Sequence, residues 1–295
     1  MLRITIDAFS GRPNPYYYVD GEQSRQLLRD VAARPDVATE PDSGFDGLGF
    51  RGALVQAMDD DGETFGLPRE FKIDATHAGG VGLDFAERLI RGLGTYDAVT
   101  DGVVAPETDV QNLLAMLDFV RSPRETVEDR SGAPAEVAPD SDTCYIERSK
   151  FNPGFWNDPA VILKNNCYNY ASNWRTNTFA QPGLGAGAKY TAFTCAELTR
   201  ASLADGCHRR FHCFPDAEKP RRLVALVVAR NQDFHWYRIH SAAEGFWGHK
   251  PGRTAARNTD NSGRVIVNPE TCDRGPYRDF CGYFYTCKSQ AHRIR

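Results

Sequence analysis

The first 143 residues of this 295-residue chain contain no cysteine. All eight, Cys144, Cys167, Cys195, Cys207, Cys213, Cys272, Cys281 and Cys287, fall in the second half. That asymmetry predicts two separately built parts. Long apolar runs are also missing: no stretch approaches the roughly 20 residues a membrane span needs, so no membrane partner is expected. The opening segment MLRITIDAFSGRPNP is broken by Arg3, Asp7 and Arg12 and lacks the apolar run of a secretory signal, which predicts a cytoplasmic protein. A secreted reading stays open, because one free thiol among eight leaves room for disulfides. There is no basic surplus: the net charge is −4, which argues against a nucleic-acid partner. Neither ATHAGGVG nor GLGAGAK (183–189) has the spacing of a phosphate-binding loop, so no nucleotide or other cofactor is expected.

What is present suits a globular α+β protein, with 41% hydrophobic and 25% charged residues. LRITIDA alternates as a strand does, and FSGRPNP forces a turn. Leu27, Leu28 and Val31 sit at helical spacing within 21–33, ahead of Pro35. GLGFRGALVQAM reads as a strand; the stretch ending at Gly92 or Gly94 and the one ending at Ser122 read as helices. This predicts a small N-terminal α+β domain over 1–120. Residues 121–143 are polar and rich in Pro and Ser, as a linker is. The C-terminal domain, 144–295, opens on aromatic and asparagine clusters. TCAELTRASLADG predicts a helix closed by Gly206. RRLVALVVA, FHWYRIH, FWGHKPG and VIVNP predict strands of an antiparallel sheet packed on a helix that begins near Cys167.

A thiol nucleophile needs a lowered pKa, a base within reach and donors for a developing oxyanion. Cys167 at a helix N-terminus, His235 just after a turn and His249 across one hairpin supply a candidate nucleophile, base and orienting group. Asp260 in TDNSG is the rival third residue. The backbone N–H of Cys167 with the side chain of Asn157, Asn165 or Asn166 supplies the oxyanion donors, and Trp236 flanks the base on the substrate side. His240 falls on the opposite strand face and is left out.

This order of Cys, strand-borne His and a neighbouring His resembles the NlpC/P60 branch of the papain-like cysteine peptidases over roughly residues 155–270. The resemblance implies a papain-like fold, a cysteine peptidase or amidase working through a thioester, and a peptide, protein or peptidoglycan-like substrate. The family's Asp–Cys–Ser is here Asn166–Cys167–Tyr168. FSGRPNP, NNCYNYA, DFHWYR, HKPG and DRGPYRDFCGYF also resemble a group of bacterial and phage proteins, a likeness that implies no activity.

Other readings use the same residues. An acyltransferase or transglutaminase would resolve the thioester with an amine. A binding module would present Trp156, Trp174, Trp236 and Trp247 to a sugar or peptide. CHRRFHC offers Cys207, His208, His212 and Cys213 as metal ligands, but four ligands within seven residues cannot readily surround one tetrahedral ion, so no metal is expected. Arg12 in FSGRPNP either reaches an anion or marks a structural turn, with the turn favoured.

Overall fold

The structure, a computed structural model, describes residues 1–59, 62–77, 79–100, 103–104, 107–121, 149–209, 218–240 and 245–295. The fold is α+β, with two antiparallel sheets. The chain divides into two compact units: Met1–Phe9 with Pro13–Arg124, and Ser10–Arg12 with Glu125–Arg295. Apart from Arg121, the stretch read as a linker lies outside the described residues, and Arg121 closes a helix. Among the described residues no helix is long and apolar enough to cross a membrane.

Unit 1 contains β1 (Leu2–Asp7), β2 (Tyr16–Val19), α1 (Gly21–Ala32), β3 (Ala38–Thr39), β4 (Gly52–Ala57), β5 (Glu70–Ile73), α2 (Gly80–Gly92), β6 (Val99–Thr100), β7 (Val103–Val104) and α3 (Glu107–Arg121). Its sheet runs β3-β5-β4-β1-β2-β6-β7. Ile4, Ile6, Val55, Phe71 and Ile73 of the sheet are buried, as are Leu27, Leu28 and Val31 of α1 and Phe85, Leu89 and Ile90 of α2. The helical residues recur at three- and four-residue spacing, the pattern that turns one helix face to a core. Fully burying each large apolar side chain stabilises by roughly 1.5–3 kcal/mol. Arg51 is buried too. It donates to Asp7 and to the carbonyls of Phe9 and Gly47, so its charge is paired and its N–H groups are occupied.

Unit 2 contains α4 (Pro153–Asn157), α5 (Cys167–Ser172), α6 (Cys195–Ala204), β8 (His208–Arg209), β9 (Arg222–Ala229), β10 (Asp233–His240), β11 (Phe246–His249) and β12 (Asp279–Thr286). The order is β11-β10-β9-β12-β8. RLVALVVA is apolar on both faces, β9 has a strand on either side, and its last six residues are buried. Leu226, Val228, Trp236 and Phe284 pack against Cys167, Tyr168 and Ala171 of α5 and Leu198 of α6. Two expectations are corrected. VIVNP is no strand; Val265 makes an isolated bridge to Thr259. The partner of β9 on its other side is β12, from DFCGYFYT, whose register shifts between Phe280 and Gly282. That extra residue breaks the two-residue alternation by which a strand is recognised.

Candidate functional site

Helix α5 has six residues, all buried, which is far too short to be stable by itself. The motifs singled out from the sequence hold it. Asn166 is its N-cap: the side-chain oxygen accepts from the backbone N–H of Tyr168 and Asn169, while Asn169 returns a bond to the Asn166 N–H. The Asn166 side-chain amine donates to the carbonyls of Gly11 and Ala180. At the other end, Arg238 donates to the carbonyl of Tyr170 and the side chain of Asn173 at 2.6 and 2.7 Å, meeting the negative end of the helix. Burial lowers the Arg238 pKa to about 10, so it stays charged at neutral pH. Lys250 Nζ lies 2.6 Å from each of the carbonyls of Ile162, Asn165 and Gly252 and so fastens the turn that leads into α5. Gly248 is required by close approach, since a Cβ there would fall on the Tyr170 hydroxyl.

Beside α5, a line of hydrogen bonds crosses β10 and β11. His249 Nε2 lies 2.9 Å from the carbonyl of Thr259 and must be the protonated nitrogen. Burial lowers the His249 pKa to about 3, so the ring is neutral and its Nδ1 accepts. His235 Nε2, 2.9 Å away, therefore donates to it, and His235 Nδ1 faces the hydroxyl of Ser10. Asp233 accepts from the backbone N–H groups of Ser10, Gly11 and Arg12 and from the Tyr277 hydroxyl. Three successive N–H groups wrapping one carboxylate form an anion nest. Burial pushes the Asp233 carboxyl up, opposed by those donors. Gly11 is needed because a Cβ would meet the Phe234 ring and carbonyl at 2.6 Å.

The expected site residues can now be placed. Cys167 does open α5, and His235 and His249 are in contact. The thiol, however, is sealed: Cys167 is 0% exposed, and its sulfur points to the Phe234 carbonyl at 3.9 Å. Desolvation pushes its pKa up, and the negative charge of Asp233 adds to that, so the dipole of so short a helix does not yield a thiolate. His235 and His249 are equally buried.

Nor are the expected oxyanion donors free. Asn165 is engaged by Val161 and Asn177, and Asn157 by Ala256; Asn166 caps and braces α5. Trp236 lies in the core. Asp260 accepts from the backbone of Ser262, Arg264 and Asp273 as turn residues do, and His249 turns to Thr259 instead. The aromatic binding surface is corrected as well, because Trp156, Trp236 and Trp247 are buried. GLGAGAK is a fastened loop: Gly183 is bonded to Asp205, and Gly185 abuts the Arg293 backbone. His212 and Cys213 lie outside the described residues, while Cys207 faces Gln290.

Sequence reasoning missed Ser10, Asp233, Arg238 and Lys250. A basic residue within an apolar strand, as in HWYR, is the signal that marks a buried cation with backbone partners.

A stretch of 135 residues, 46% of the chain, is 47% identical to the insoluble matrix shell protein 1 of the mollusc Ruditapes philippinarum and covers 88% of that protein. No protein-family model and no solved structure matches the chain. The similarity to a shell matrix protein overturns the expectation of a cysteine hydrolase, and with it the expectation of a bacterial peptidase. The sealed thiol agrees with that correction.

Proposed function

The chain belongs to the family of insoluble matrix shell protein 1, and on that premise we propose that it is a structural component of an insoluble extracellular matrix. The single observation that carries this reading is the 47% identity extending over 88% of the shell protein. Two features of unit 2 support it. The ionisable groups of its centre are spent on internal hydrogen bonds, which suits a part that must hold its shape. A disulfide joins Cys195 and Cys281, as expected of proteins that mature in an oxidising compartment rather than the cytosol.

The test is fractionation of the source tissue with an antibody to the chain. Recovery in the extracellular residue that resists salt and detergent extraction is expected. Recovery in the soluble cytosolic fraction would sink the proposal. A second arm treats the native protein with iodoacetamide. Cys167 is expected to stay unmodified until the fold is denatured, whereas rapid labelling of Cys167 would reopen its chemistry.

A further inference from the structure

In unit 2, α6 and β12 pack side by side, and each carries one half of a disulfide near its start. Cys195 opens α6, Cys281 is the bulged residue of β12, and their Cα atoms are 5.1 Å apart. From Cys195 to Ala204 α6 advances roughly 14 Å at a helical rise, and Asp205 and Gly206 then turn the chain to Cys207. From Cys281 to Cys287 it advances roughly 20 Å at a strand rise. The two elements end beside each other. Cys287 Sγ lies 3.2 Å from the carbonyl oxygen of Gly206, on the peptide bond that joins Gly206 to Cys207. Both thiols are buried against the same turn: Cys207 Sγ is 3.0 Å from Gln290 Nε2, and Cys287 Sγ is 3.3 Å from the Ser289 hydroxyl.

We propose that Cys207 and Cys287 are a second disulfide site, which pins the far ends of α6 and β12 as Cys195–Cys281 pins the near ends. Its formation in the tissue rests on the extracellular reading above; its geometry does not. Both sulfurs are reduced in the present geometry, and pairing takes the release of each from its present hydrogen-bond partners. The oxidant is a small disulfide such as glutathione disulfide. One cysteine thiolate attacks it, its S–S bond breaks and one glutathione thiolate leaves. The second cysteine thiolate then displaces the other glutathione from the mixed disulfide. One S–S bond is lost and one gained, and the two cysteine protons end on two glutathione thiols. Burial disfavours the thiolate of each cysteine once folded, so the exchange belongs to folding, before this edge of the unit closes.

The experiment refolds the full reduced chain in a glutathione redox buffer, blocks remaining thiols with iodoacetamide under denaturing conditions, and maps the peptides without reduction. Chymotrypsin is the protease of choice, because cleavage after Tyr283, Phe284 or Tyr285 separates Cys281 from Cys287. The expected result is a linked pair containing Cys207 and Cys287, both protected from the alkylating agent in the same molecules. In C287S, Cys207 is expected as the alkylated or glutathione-capped form. Cys207 or Cys287 recovered alkylated from the oxidised wild-type chain, or joined to any other cysteine, overturns the proposal. If refolding fails, the same map is read on chain secreted from a eukaryotic host. Protein from the source tissue separates the two readings. Thiols that pair in the redox buffer but are reduced in the tissue would leave this site standing and count against the extracellular role.

Discussion

The two units differ in how far they bury their polar side chains. In unit 1 the ion pairs lie largely outside: Glu22 with Arg25 and Arg29, Asp30 with Arg88, Glu87 with Arg91 and Arg121. Hydrogen bonds from those arginines lower the carboxyl pKa of Glu22 and Glu87, but water screens such pairs and they add little. Arg51 with Asp7 is an inward pair, and Asn14, Lys72 and Asp74 are buried as well. In unit 2, Asn165, Asn166, Asn169, Asp233, His235, Arg238, His240, His249 and Lys250 are all buried. Unit 1 is specified by apolar periodicity, which tolerates local error. Unit 2 is specified by a polar network in which each of these side chains has a partner, so deleting one that is a sole donor strands another group out of water.

The largest effect should come from Lys250. K250M fills much of the same volume but leaves three buried carbonyls without their donor, and a loss of about 3–5 kcal/mol is expected. All four tryptophans lie in unit 2, so tryptophan fluorescence during urea unfolding reads that unit alone. The comparison breaks if K250M unfolds within about 1 kcal/mol of wild type, the range of ordinary surface changes.

Acid should separate the units next. Burial lowers the pKa of His240 to about 4 and of His249 to about 3. Their folded values are depressed, so each contributes stability that is whole above the unfolded value near 6.5 and is lost as pH falls toward the folded value. Asp205 works the other way. Burial raises it to about 6, so the folded state holds its proton more tightly and gains as pH falls from about 6 to 4. Between pH 7.5 and 5 the two histidines lose about 2 kcal/mol each and Asp205 returns about 1, a net loss of roughly 3 kcal/mol. Tryptophan-monitored unfolding at the two pH values checks this. Equal midpoints would show that these rings are not held neutral.

The same contrast explains what could be read from sequence. β1, α1, α2 and β9 announce themselves through period and flanking turn residues, and the start of α5 at Cys167 is legible from the polar pair before it. The contact of His235 with His249 follows from hairpin spacing. Burial does not: whether an Asn–Cys–Tyr segment lines a cleft or a core depends on what closes over it, and here that includes Ser10–Arg12, more than 150 residues away in the chain. The bulge of β12 and the roles of Asp233 and Lys250 are equally hidden, since most of their partners are backbone groups that carry no sequence signature.

Asn166 offers a graded test of how the network holds α5. N166A removes a helix cap and one of the two donors to the carbonyls of Gly11 and Ala180, which Gln181 Nε2 also meets, for an expected loss of about 1–2 kcal/mol. N166D keeps the cap acceptor and loses the two donors, so it should fall between N166A and wild type in the same urea titration. If N166D is as stable as wild type, Gln181 alone suffices for the two carbonyls and the Asn166 brace is not essential.

The smallest effect is expected on the surface of α1, where it sharpens the contrast by its size. Arg25 is half exposed and meets Glu22 one turn away at 3.0 Å. Glu22 keeps a second partner in Arg29, so R25A removes only part of a screened interaction, in a helix whose buried face, Leu27, Leu28 and Val31, is untouched. The loss should be about 0.5 kcal/mol or less and should shrink further in 1 M salt. Circular dichroism at 222 nm, which unlike tryptophan fluorescence also sees unit 1, follows it. A loss above about 1.5 kcal/mol that persists in high salt would mean that unit 1 also relies on particular polar contacts, and the division drawn between the two units would fail at its simplest point.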